Sequence, residues 1–132
     1  MHEILRELNS TPGVRGSAVV MNDGVVVAAD LSAGADPERF SALLSSLFSQ
    51  FGLHAPKLGL GTVKRAVVTA SRGRFALIDI GGVFLVAELG RDIDPGAIEL
   101  EIESAAAHLR KRLRLHSDTE PAPAPPALPA QR

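Results

Sequence analysis

No cysteine occurs anywhere in the 132 residues. That removes disulfides, thiolate nucleophiles and thiolate metal sites together, and it fits a reducing compartment. Tryptophan and tyrosine are also missing, and five phenylalanines are the only aromatic residues, so a core must be built from Val, Leu, Ile and Ala. Charge of one sign is lacking too: 14 basic and 15 acidic residues leave a formal net charge of −1. No global field therefore favours nucleic acid or an anionic membrane, and any charged partner must meet a local patch. No apolar run approaches the ~20 residues needed to span a bilayer. Charges interrupt the first ten residues where a signal peptide would be apolar, so cytoplasmic residence is expected.

What is present is an apolar content of 45% in a length suited to one domain. Ile4, Leu5 and Leu8 recur at helical spacing up to Thr11-Pro12-Gly13. Ser17–Met21 and Val25–Leu31 read as strands around Asn22-Asp23-Gly24, where Asp-Gly suits a tight hairpin turn. Asp36-Pro37 supplies an N-cap and a proline at the first helical position, which predicts a helix to about Leu53. Thr62–Ala70, Arg74–Ile80 and Val83–Leu89 read as three strands separated by Ser71-Arg72-Gly73 and Gly81-Gly82. Asp94-Pro95 repeats the cap-plus-proline signal, and Ile98, Ile102, Ala105, Leu109 and Leu113 then share a helical face ending near Leu115.

The expected fold is thus an α/β (α+β) sandwich over residues 1–115, with a five-stranded antiparallel sheet in the order α-β-β-α-β-β-β-α. Residues 116–132 read as a flexible tail rich in Pro and Ala. An SH3-type ligand is the alternative for that tail.

Strands four and five carry apolar residues on both faces, so both faces of the sheet should be covered. Five strands ~4.8 Å apart make a sheet about 24 Å wide, and one helix covers only about 10 Å of it. The first and last helices fall most simply on one face, which leaves the second alone on the other. That second helix directs Phe40, Leu43, Leu44, Leu47, Phe48 and Phe51 toward the sheet. Its remaining surface, Ser41, Ala42, Ser45, Ser46, Ser49, Gln50 and Leu53, contains no charge after Glu38 and Arg39. Small uncharged residues at helical spacing let a second helix approach closely, so self-association through this face is expected. A low-charge surface that simply faces solvent is the alternative.

The order of elements, together with Pro12-Gly13-Val14-Arg15-Gly16-Ser17-Ala18-Val19-Val20, Asp23-Gly24, Leu58-Gly59-Leu60-Gly61 and Ile80-Gly81-Gly82-Val83-Phe84-Leu85-Val86, resembles the Roadblock or dynein light-chain domain family. The resemblance covers about Ile4 to Leu115. It implies a profilin-like architecture and a dimer joined through the second helix and the strand Thr62–Ala70, adding Val63, Arg65 and Val67 to the interface. The bacterial, MglB-like branch implies a homodimeric regulator that docks a Ras-like small GTPase through helix two and promotes GTP hydrolysis without an arginine finger of its own. Other branches imply the alternative of a structural scaffold or adaptor in a larger motor or signalling complex.

Chemistry of the chain's own is not expected. No Gly-x-x-x-x-Gly-Lys-[Ser/Thr] loop occurs, so phosphates lack their usual backbone cradle and lysine. Gly59-Leu60-Gly61 precedes a strand, where a dinucleotide loop would follow one. The four histidines never fall at i, i+4 spacing, so no metal and no cofactor is expected. His108 reads as a boundary residue of the last helix. Asp79 and Glu88 could serve as acids, but a strand-end position beside an arginine is the simpler reading. The cluster Arg110, Lys111, Arg112 and Arg114 complements the C-terminal end of a helix dipole, and it could also meet an acidic lipid or partner. Arg72 and Arg74, at the turn between strands three and four, are the exposed arginines expected to touch a partner. A small-molecule sensor would require a polar-lined cavity between sheet and helix, and the Val, Leu and Phe of the sheet faces leave little room for one.

Overall fold

The computed structural model describes residues 1–119, with side chains through Arg114. Its elements are α1 (His2–Asn9), β1 (Val14–Met21), β2 (Val26–Asp30), α2 (Pro37–His54), β3 (Arg65–Ala70), β4 (Gly73–Asp79), β5 (Val83–Leu89) and α3 (Glu99–Thr119). All five strands form one antiparallel sheet in the order β2-β1-β5-β4-β3. Consecutive hairpins join β1 to β2 and β3 to β4 to β5, and β1 pairs with β5 in the middle.

Local chemistry sets the ends of these elements. Gly24 takes φ +93°, and the Asp23 carboxylate accepts the Val25 N–H, which closes the β1–β2 turn. Asp36 caps α2 by accepting from the Glu38 and Arg39 amides. Asp94 does the same for the Gly96 amide, but the helix begins as a 3-10 turn over Pro95–Ile98 before α3 proper. α3 then continues to Thr119, past the end near Leu115 that the apolar stripe predicts. Of the segment assigned to a tail, residues 120–132 lie outside the described residues. β3 starts at Arg65 where Thr62 was the expected first residue, because the glycine loop extends further into the chain.

Two apolar layers sandwich the sheet. Leu5 and Leu8 of α1 with Ile98, Ile102, Ala106 and Leu109 of the α3 side pack on Val19, Ile78, Leu85 and Leu89. On the opposite face α2 alone packs Leu44, Phe40 and Phe48 onto Val20, Phe84 and Val86, and the Phe48 and Phe84 rings lie 4.3 Å apart. The expected division, two helices on one face and one on the other, is the arrangement found. Gly16 makes part of it possible: a Cβ there would stand 2.8 Å from the Leu31 Cα and 2.9 Å from the Ser32 nitrogen. No residue with a side chain fits that approach of β1 to the β2–α2 loop.

Candidate functional site

The surface that a single helix leaves open begins with the rotation of α2. Ser41 is fully buried and its hydroxyl donates to the Gly24 carbonyl; Ser45 donates to the Asn22 carbonyl at 2.6 Å. The sequence places both serines on the outward face, and the structure corrects this. They tie α2 to the β1–β2 turn, whose carbonyls would otherwise lack partners. This tether rolls the helix toward β2. Leu43, expected to face the sheet, is 63% exposed as a result.

Three sides of α2 can now be told apart. Ser41 and Ser45 face the hairpin, and Ala42, Ser46, Ser49 and Leu53 form the exposed top, with Leu53 53% exposed. Helical spacing places Leu43, Leu47, Gln50 and His54 on the third flank, toward β3. There Gln50, Phe51, His54 and Ala55 face Leu58, Leu60, Val63 and Ala66 across an apolar groove of about 420 Å³. Leu58 and Leu60, 73% and 72% exposed, stand on its rim.

β3 borders this groove and is an edge strand. It pairs with β4 through six regular residue pairs from Arg65–Ile78 to Ala70–Gly73, without a bulge. The other edge is blunted: β2 is five residues long, its register shifts at Val19/Val20, and the Asp30 carbonyl is occupied by the Asn9 side-chain amide at 2.8 Å. The two edges are therefore unequal: β3 is long and regular, and β2 is short, bulged and partly occupied.

Side chains on β3 alternate. Arg65 and Val67 lie on the α3 face, opposite Ile78 and Ala76; Ala66 and Val68 lie on the α2 face, opposite Leu77 and Phe75. Arg65 forms ion pairs with Glu99 and Glu103, so its guanidinium is already engaged. Val63 lines the groove, and Val67 is exposed on the other side. Ala66 and Val68, half-buried on the open face, were not legible as surface residues, although the alternation of β3 was the available signal.

The arginine expectation divides. Arg72 is exposed in the β3–β4 turn, but Arg74 lies within β4, half-buried, and donates from Nη1 to the Ile93 carbonyl. Its Nε is buried without a partner among the described residues. Arg74 is thus a brace for the loop after β5 and is corrected as a surface contact. Asp79 ends β4 with Arg110 beside it, Nη2 donating to the Asp79 carbonyl at 3.4 Å, while the Asp79 and Glu88 carboxylates themselves are held by backbone amides. Asp79 accepts the Gly81 amide at 2.9 Å, and Glu88 accepts the Ser32 amide at 3.1 Å. Among the described residues no group of three or more His, Asp or Glu side chains could hold a metal ion, and no helix is long and apolar enough to cross a membrane.

A profile of the Roadblock/LC7 domain matches residues 1–88. The uncharacterised protein MJ0310 of Methanocaldococcus jannaschii is 32% identical over 103 residues, covering 78% of this chain and 90% of that protein. The Roadblock/LC7 domain from Streptomyces avermitilis superposes with a TM-score of 0.78 at 20% identity, over 86% of this chain and 98% of that one. The gliding protein MglB from Thermus thermophilus gives 0.73 at 19% identity, over 83% and 85%. Profilin from Schizosaccharomyces pombe gives 0.57 at 19% identity, over 80% and 92%.

Proposed function

That this chain belongs to the Roadblock/LC7 domain family is the premise from which we propose that two copies pair through α2 and β3 into a platform that regulates a Ras-like small GTPase. The observation that carries this reading is the regular, unblunted β3 edge lying beside an apolar flank of α2. About a two-fold axis, β3 pairs with its counterpart and extends the sheet from one subunit into the next. The same rotation brings the two α2 helices together. Ala42, Ser46 and Ser49 permit close approach, and Leu43, Leu53 and the groove residues supply the area removed from water.

Pairing creates a continuous surface from two α2 helices, and the GTPase docks there. The platform works in the cytoplasm and by binding: it holds the switch regions of the GTPase in the arrangement that hydrolyses GTP, while the phosphate-binding groups belong to the GTPase. Resemblance to MglB-like regulators supports this role, as does the uncharged character of the α2 surface. In this reading Arg72, exposed in the β3–β4 turn, touches the partner.

Single-turnover GTP hydrolysis by a Ras-like GTPase of the MglA type, measured with and without the full chain, tests the proposal. Acceleration that disappears in Ser46→Arg, a change at an exposed position on α2, is expected. Binding without any change in hydrolysis would favour the scaffold reading, and no binding would remove the GTPase role altogether.

A further inference from the structure

Charge is spread unevenly along the chain although its total is near zero. The forty residues from Arg39 to Ile78 carry six Arg or Lys and no Asp or Glu, and the other eight basic residues share the rest of the chain with all fifteen acidic ones. That acid-free stretch builds α2, β3 and nearly all of β4. Four of its six cations are offset or engaged where they stand. Arg39 follows Glu38 in the first turn of α2, and Arg65 pairs with Glu99 and Glu103. Lys64 lines a groove with Asp79 and the same two glutamates, and Arg74 is half-buried and donates to the Ile93 carbonyl. Lys57, just past the end of α2, and Arg72, in the turn after β3, are exposed and join no ion pair among the described residues. Lys57 directly precedes Leu58 on the rim of the α2–β3 groove.

We infer that the partner docking on the paired α2 helices presents an acidic protein surface, with Asp or Glu side chains meeting Lys57 and Arg72. The inference rests on the pairing through α2 and β3 proposed above. Antiparallel pairing of two β3 strands sets the Arg72 end of one subunit on the side of the Lys57 end of the other, so two cations stand at each end of the platform. Between them the exposed top of α2, with Ala42, Ser46 and Ser49, carries no charge. Cationic ends around an uncharged middle attract an acidic surface over about a Debye length and fix its orientation. The other basic cluster lies on the α3 side and is partly engaged: Arg110 donates to the Asp79 carbonyl, and Arg112 pairs with Glu3. A protein suits the platform better than a nucleic acid does, because two cations per subunit neutralise few phosphates and the chain has no Trp or Tyr on which bases could stack.

Stopped-flow association of the full chain with a Ras-like GTPase of the MglA type tests it. The association rate should fall at least about tenfold between about 0.05 M and about 0.5 M salt. At the lower salt, Lys57→Glu with Arg72→Glu should slow association by a similar factor, and Lys111→Glu, an exposed change on α3, by less than about twofold. Sedimentation of the same samples should show the double variant still paired. A rate indifferent to salt and to the double variant would overturn the inference and leave the platform standing. A double variant that no longer pairs would overturn it too, by assigning the two cations to the contact between subunits. No association with the GTPase would remove the platform's proposed role, and labelled polyglutamate then decides the chemistry. Binding lost in the double variant and kept in Lys111→Glu sustains an acidic partner, whereas no binding, or equal loss in both, overturns it. Tighter binding to phosphatidylserine vesicles than to polyglutamate would assign the patch to a membrane and overturn it as well.

Discussion

Leu43→Ala should weaken pairing of the chain while leaving each subunit as stable as before. Leu43 is 63% exposed within one subunit, so most of its side chain is still available for burial by a partner. Full burial of a leucine is worth about 2–3 kcal/mol, and the exposed share of it about 1.5 kcal/mol. A two-fold axis uses the residue twice, giving about 3 kcal/mol for the pair. That converts to a dimer Kd raised by roughly 100-fold. Sedimentation equilibrium of the wild type, Leu43→Ala and Leu100→Ala checks it. Leu100 is even more exposed, at 79%, but lies on the opposite face, so its truncation should leave the dimer Kd unchanged. Unfolding of a dissociated Leu43→Ala subunit should agree with the wild type within about 0.5 kcal/mol, as expected for an exposed position. Equal dimer constants for all three proteins would refute the placement of the interface on α2.

Other substitutions separate folding from docking. Gly16→Ala should destabilise the fold by about 2–3 kcal/mol in urea, because the added methyl meets backbone at Leu31 and Ser32. Ser41→Ala should cost about 1–2 kcal/mol, since the Gly24 carbonyl loses its donor beside a buried site; Ser46→Ala, at an exposed position, should change stability by less than about 0.5 kcal/mol. Arg65→Met removes ion pairs to Glu99 and Glu103 that are partly exposed. A loss below about 1 kcal/mol that shrinks further in high salt is expected from thermal unfolding.

Most of the architecture was legible because its signals are local and repeated. Asp36-Pro37 fixed the start of α2, Asp23-Gly24 and Gly81-Gly82 fixed two turns, and doubly apolar strands β4 and β5 required cover on both faces. The unequal cover followed from sheet width together with the placing of the first and last helices on one face. What was not legible is the rotation of α2. Hydrophobic periodicity ranks Leu43 with Leu44 and Leu47, but two serine hydroxyls reaching the β1–β2 turn carbonyls set the roll of the helix. Those carbonyls come from residues about twenty positions away, so no window along the chain contains both partners. Arg74 was missed for a related reason: strand alternation turns it toward the loop after β5, where the Ile93 carbonyl waits. Arg65 and Val67 were placed on the correct strand, while their face depended on a register with β4 that sequence alone does not specify.

The mass of the native chain in solution tests the central claim most directly. Light scattering behind size exclusion, across micromolar concentrations, should give about twice the 13.9 kDa of one chain. A steady mass of one chain throughout that range would contradict the account, because the β3 edge and the α2 flank would then face water unpaired.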